Sequence, residues 1–317
     1  MRAFAIDPSL LPLLEALRPF DFDRQSLAEI RHYANLNKVP TIAESISLRT
    51  EHIVPTSSHA PEVRVLSYRP SLEDTLPVYL HIHGGGFVMG TPDRSEARNR
   101  MISDQANCAV FSVDYRLAPE TAFPGPLEDC YAVLKWIVDN AALLRIDPSR
   151  IAVGGESAGG GLAAALSILA RDRAELHVGF QVLTYPMLDD RTAFNRGMQI
   201  QGRTFHVWTP ENNRFGWQAM LGSDISGTTD ISPYAAPGRL KDFANLPATF
   251  LAVGALDLFL SENLEFIKGL ANSGVATETA VYPGAFHGFI LSPTASVARR
   301  YHEAVLRALR GFFQQLQ

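Results

Sequence analysis

Only two cysteines, Cys108 and Cys130, occur in 317 residues, too few for a disulfide framework. That scarcity points to a reducing compartment or to indifference to redox state. Long hydrophobic runs are missing as well: no window reaches the ~18 consecutive apolar residues that a membrane helix requires. Near the N-terminus, Asp7, Pro8, Pro12 and Glu15 interrupt any stretch that could act as the apolar part of a signal peptide. A cytoplasmic address without stable membrane insertion is therefore expected. Positive charge is not in excess either. With 28 basic and 33 acidic residues the formal charge is −5, and without a basic tract the footprint of a nucleic-acid-binding protein is lacking. Internal repeats and low-complexity tracts are absent. Apolar residues make up 46%, enough to bury a sizeable core in one large or two small domains.

The chain changes texture along its length. Leu10, Leu13, Leu14 and Leu17, then Leu27, Ile30 and Tyr33, have helical spacing, so residues 1–45 are expected to be a helical cap segment. From residue 63, short β-rich runs (63–68, 78–82, 109–114, 151–154, 178–183, 248–253 and 277–282) alternate with helix-like stretches of ten or more residues. Several runs are apolar nearly throughout, as parallel strands covered on both faces are. The expected fold is α/β, a mostly parallel sheet with helices on both faces. Residues 188–240 contain Trp208, Phe215, Trp217 and Met220 but no clear strand, and are expected to be an insertion that joins the cap. The remainder, 46–187 and 241–317, would form the catalytic domain.

Gly155-Glu156-Ser157-Ala158-Gly159 follows the apolar run 151–154 and precedes a helix-like stretch. A G-x-S-x-G there is a nucleophile elbow, a turn so tight that side chains at 155 and 159 would clash, which lifts the serine hydroxyl above the sheet. A serine needs a base within hydrogen-bond reach. His287 lies in the loop after the last strand-like run, at the carboxyl edge of the sheet, whereas His302 falls in a helix-like stretch as a solvated or packing position. Among the acids, Asp257 follows the run 248–253 by a short turn. Its runner-up, Glu262, reads as a helix-start residue, and Asp189 and Asp190 enter the insertion. His83-Gly84-Gly85-Gly86 follows the run 78–82, and such glycines let amide N–H groups face a ligand. Gly85, Gly86 and Ala158 would supply an oxyanion hole. Phe87-Val88-Met89 stands where a phosphate loop would need Gly-Lys-Ser/Thr, and His81 and His83 have no acidic or cysteine partner at metal-ligand spacing.

HGGG, GESAG, Asp257 and His287 in this order, with Asp114-Tyr115-Arg116-Leu117-Ala118-Pro119-Glu120 and Phe123-Pro124 between them, resemble the hormone-sensitive-lipase-like branch of the α/β-hydrolases, a family of bacterial esterases. The match runs from about residue 77 to the end. The resemblance implies an α/β-hydrolase fold and hydrolysis of small short- to medium-chain carboxylic esters by Ser157, His287 and Asp257. It also makes 114–120 a support near the oxyanion loop, one that can hold a cis proline. No cofactor or metal is called for. Phe87, Trp208 and Phe215 are expected substrate contacts. Two departures stand out: Glu156 replaces the family's usual Asp or Thr, and Leu258-Phe259 replace its usual proline and basic residue after the acid. The alternatives are an amide or N-acetyl hydrolase using the same triad, or a binding protein on this fold. Apolar surface strands allow a homodimer.

Overall fold

The apolar runs fall on the strands of one sheet. The computed structural model describes residues 5–17, 22, 26–36, 45–56, 61–194, 204–222 and 230–314. Among these the strands are β1 (Leu48–Val54), β2 (Val63–Arg69), β3 (Leu76–Ile82), β4 (Ala109–Val113), β5 (Ile146–Glu156), β6 (Phe180–Thr184), β7 (Ala248–Gly254) and β8 (Thr277–Tyr282). Their spatial order is β1-β2-β4-β3-β5-β6-β7-β8. β2 is antiparallel to β1 and β4, and every pair from β4 onward to β8 is parallel. Two of the central strands, β3 and β4, are buried at every position, so helices cover both of their faces.

The helices are α1 (Leu11–Ala16), α2 (Leu27–Leu36), α3 (Glu96–Ala106), α4 (Gly125–Asp139), α5 (Ala141–Leu144), α6 (Ala158–Arg173), α7 (Pro210–Leu221), α8 (Leu260–Asn272) and α9 (Ser296–Gln314). α3 packs with α9, and α4 packs with α6. α9 shows why: Val297, Tyr301, Val305, Leu309 and Phe313 recur every four residues and all are buried, a single apolar stripe laid on the sheet. Among the described residues no helix is long and apolar enough to cross a membrane.

β1 lies outside the strand-like runs found in the sequence. It is an edge strand, exposed at four consecutive positions, and no apolar run announces it. The expected cap regions, 1–45 and 188–240, fall partly outside the described residues. Some of their described residues reach loops at the carboxyl edge of the sheet, whereas Tyr234 Oη donates to Asp172 near the far end of α6 (2.8 Å). Asp7 N–H donates to Gly284 O (3.0 Å), and Arg31 Nε donates to Val88 O (2.7 Å). Phe22 stacks on Phe215 of α7, with ring centroids 4.4 Å apart.

Candidate active site

The end of β5 sets the site. Ser157 has φ 55 and ψ −121, a backbone conformation that non-glycine residues rarely adopt, and α6 starts at the next residue. A Cβ on Gly155 would lie 2.2 Å from Ile82 O, and one on Gly159 would lie 2.1 Å from the same oxygen. The end of β3 thus runs too close to the turn for any side chain at either position. Ser157 N–H donates to Thr184 O (3.0 Å), and Ser157 O accepts from Met187 N–H (2.9 Å) and Gly161 N–H (3.0 Å). The strained turn is therefore held by the end of β6 and by the first turn of α6.

Three side chains distant in sequence meet there. His287 Nε2 is 3.0 Å from Ser157 Oγ, and His287 Nδ1 is 3.0 and 3.2 Å from the two Asp257 carboxylate oxygens. Asp257 is 1% exposed, and its Oδ1 also accepts from Phe259 N–H (2.9 Å). Leu256 N–H donates to Ala285 O (2.9 Å), which ties the loop carrying Asp257 to the loop carrying His287. Rings of Tyr185 (4.6 Å) and Phe259 (5.1 Å, edge-on) pack around the imidazole and limit its rotation.

Glu262 faces elsewhere. It accepts from Leu188 N–H (2.7 Å) and Asp189 N–H (3.3 Å) and bonds Thr192, so it orders the segment after β6. Burial pushes its carboxyl well above the usual carboxylate range.

The glycine loop lies beside Ser157. Gly85 and Gly86 have φ of 130 and 60, and Gly85 O accepts from Val88 N–H (3.1 Å) and Met89 N–H (3.0 Å), closing a tight turn. Among the described residues, the amides of Gly85, Gly86 and Ala158 donate to no backbone carbonyl. The 114–120 segment supports this loop: Tyr115 Oη donates to His83 O (3.0 Å), its ring stacks on His83 at 4.3 Å, and Ala118 N–H donates to Phe87 O (2.9 Å). Arg116 pairs with buried Asp129 through both Nε and Nη2. The Ala118–Pro119 and Phe123–Pro124 peptide bonds are cis.

A pocket of ≈ 180 Å³ opens at this point, lined by Gly85, Gly86, Ser157, His287 and, opposite, Trp208. Ala158 is buried behind the serine. Phe87 and Phe215 are not on the lining. Phe87, at φ 67, packs edge-on against Trp217 at 5.2 Å, and Phe215 stacks on Phe22. Tyr185, Val207, Ile290 and Leu291 supply the apolar lining in their place.

Sequence reasoning missed three charged or titratable residues of this pocket: Arg94, Arg98 and His302. His302 is a buried position of α9, and burial lowers its pKa to about 4. Glu156 reaches Arg98, with Oε2 2.7 Å from Nη2, and His81 Nε2 is within hydrogen-bond distance of both. Burial alone would raise the Glu156 pKa; the Arg98 charge overcomes it and holds the carboxyl at about 2. His81 and His83 diverge, one toward Arg98 and Ser112 and the other onto Tyr115. The available signal was a pair of arginines four residues apart, just after the glycine loop.

Comparison with known proteins bears on the family and the fold. Residues 79–291 match the model of a family described as having the alpha/beta hydrolase fold. The carboxylesterase NlhH of Mycobacterium tuberculosis is 34% identical over 294 residues, covering 90% of this chain and 89% of that protein. A bacterial heroin esterase superposes with a TM-score of 0.92 at 38% identity, covering 98% of both chains. The esterase LipW of Mycobacterium marinum superposes with a TM-score of 0.84 at 33% identity, covering 98% of this chain and 99% of that one.

Proposed function

The chain belongs to the α/β-hydrolase family, in its hormone-sensitive-lipase-like branch, and from that premise we propose that it hydrolyses carboxylic esters through Ser157, His287 and Asp257. The observation that carries the reading is the hydrogen-bonded line from Ser157 Oγ through the imidazole to the Asp257 carboxylate, beside glycine amides that no backbone carbonyl occupies among the described residues. His287 Nε2 takes the hydroxyl proton as Ser157 Oγ adds to the ester carbonyl. The amides of Gly85, Gly86 and Ala158 donate to the oxyanion that forms. Asp257 fixes the imidazole tautomer and stabilises the imidazolium. His287 then protonates the departing alcohol, which leaves the acyl group on Ser157. Water, deprotonated by the same imidazole, releases the acid and restores the serine.

Substrates with short to medium acyl chains suit a pocket of ≈ 180 Å³ with an apolar lining. Residues 1–45 and 188–240 act as its cap, a reading supported by the Phe22–Phe215 stack and by the edge contact of Phe22 with Trp208 at 6.1 Å. A cytoplasmic address belongs to the same reading, on the free buried thiols of Cys108 and Cys130. So does a homodimer, on the exposed Leu48 and Ile53 of β1 and Val281 of β8. Sedimentation of the purified chain tests the dimer, and a monomer at micromolar concentration removes it.

The main test is Ser157→Ala. Turnover of p-nitrophenyl butyrate should fall by up to ~10⁶-fold, and covalent labelling by a fluorophosphonate should vanish. A folded variant that still turns over the ester refutes Ser157 as nucleophile. Paired ester and anilide substrates separate this activity from amide hydrolysis.

A further inference from the structure

Two arginines line the pocket beside Ser157, and they are not equivalent. Arg98 is balanced by Glu156 at 2.7 Å. Arg94, in the helical turn Pro92–Ser95 that leads into α3, makes no ion pair and no side-chain hydrogen bond among the described residues. The acids nearest to it in sequence are engaged elsewhere. Asp93 pairs with Arg64 (2.8 Å) and Arg49 (3.3 Å), and Glu96 pairs with Arg100 (2.8 Å). The Arg94 side chain is nonetheless half-buried, and burial lowers its pKa from the usual guanidinium range without removing its charge.

The rest of the lining does not balance it. Burial holds His83 and His302 at about 4, so both are neutral near pH 7. The remaining walls include Val207, Trp208, Ile290 and Leu291, which carry no charge. With Arg98 and Glu156 cancelling, the lining carries one unbalanced positive charge. A charge held partly out of water without a partner is costly, and a ligand that brings the opposite charge recovers that cost on binding.

We infer that Arg94 receives a carboxylate carried by the substrate, so that this pocket favours esters bearing a second, ionised carboxyl group: half-esters of dicarboxylic acids, or acyl esters of hydroxy acids. The inference rests on the ester-hydrolase reading and adds its substrate class. A planar guanidinium matches a carboxylate bidentately, and one cation balances one carboxylate. A phosphate dianion would exceed that charge.

The experiment compares matched pairs in a pH-stat near neutral pH. Monoethyl adipate against ethyl hexanoate places the carboxylate on the acyl side; 4-acetoxybutanoate against butyl acetate places it on the alcohol side. The quantity read is the ratio of kcat/KM for the charged ester to that for its neutral partner. In Arg94→Met that ratio should fall about 10- to 100-fold for one pair, through KM rather than kcat. Arg94→Lys, which keeps the charge but not the fork, should retain part of it. The pair that responds identifies the side of the ester that carries the carboxylate.

Ratios unchanged within about twofold in both pairs overturn the inference, as does an Arg94→Lys ratio as low as that of Arg94→Met. In either case neutral-ester turnover by the wild type leaves the hydrolase reading standing. A wild type that hydrolyses none of the four esters removes the hydrolase reading and this inference with it. Should Arg94→Met not fold, by circular dichroism, Arg94→Gln takes its place in the same comparison.

Discussion

The two walls of the pocket are built by different means. On the sheet side, Ser157, His287 and Asp257 sit at strand ends and are fixed by short backbone hydrogen bonds between neighbouring loops. On the cover side, Trp208 and α7 are seated mainly by side-chain packing. Gly216 of α7 comes so near Gly86 O that a Cβ there would lie 2.7 Å away, and Phe215 stacks on Phe22. Backbone ladders hold reacting atoms within tenths of an ångström, whereas aromatic contacts are less directional. Rate should therefore depend on the first wall, and discrimination among substrates on the second.

The largest contrast lies within the sheet side. Asp257→Asn keeps the shape but favours the wrong imidazole tautomer, and kcat should fall by about 10⁴. Glu262→Gln alters a carboxyl that burial already holds toward its neutral form, and the amide oxygen can still accept from Leu188 N–H, so kcat should stay within a few-fold. Steady-state kinetics on one ester ranks the two. Equal losses would transfer the role of the acid.

Gly86 is where the two walls touch. It has φ 60, and a Cβ on it would lie 2.0 Å from Trp208 Cη2. Gly86→Ala should displace either the indole or the loop that carries an oxyanion donor, with a loss of about 10² to 10³ in kcat. A variant as fast as the wild type would mean that this amide does not face the oxyanion.

The same division decides what could be read from the sequence. Ser157 and Asp257 each follow an apolar strand run by a short turn, and such strand ends are legible because burial on both faces leaves an uninterrupted apolar signature, whereas His287 follows the half-exposed edge strand β8 and is legible from its loop after the last β-rich run. β1 was not legible. As an edge it needs no such run, and Arg49, Glu51 and Arg64 tie it to β2 and Asp93 through ion pairs. Phe87 is expected at the site from its place beside the glycine loop, but a positive φ turns its side chain onto Trp217, a dihedral that the sequence does not announce. Arg98 and Glu156 lie 58 positions apart, and only the parallel pairing of β3 with β5 brings α3 over the elbow.

Glu156 gives a smaller effect, readable in stability. Its folded-state pKa of about 2 lies below the ordinary 4.5, because Arg98 outweighs the cost of burial. A carboxyl depressed in the folded state contributes stability that is present above pH 4.5 and lost as pH falls toward 2. The contribution is about 3 kcal/mol. Urea denaturation should therefore show Glu156→Gln less stable than wild type by about that amount near neutral pH. The gap should close on acidification through this window. A gap independent of pH would show that Arg98 does not hold the carboxylate ionised.

The smallest effect should come from the cover wall itself. Trp208 is buried, donates from Nε1 to Asn213 Oδ1 (3.3 Å), and lies against the oxyanion loop at Gly86. Trp208→Ala removes a lining side chain and no reacting group, so kcat/KM should fall less than about tenfold for an acetate ester and somewhat more for a hexanoate. Its value lies in combination. If Gly86 must be glycine because the indole occupies the Cβ position, Gly86→Ala should be far milder in the Trp208→Ala background. Only the strain of alanine at positive φ would remain there, about 1–2 kcal/mol. A double-mutant cycle on kcat measures this directly, with an expected coupling of about tenfold or more. Strict additivity would mean that the demand for glycine comes from the loop's own backbone, and that the two walls are independent where they meet.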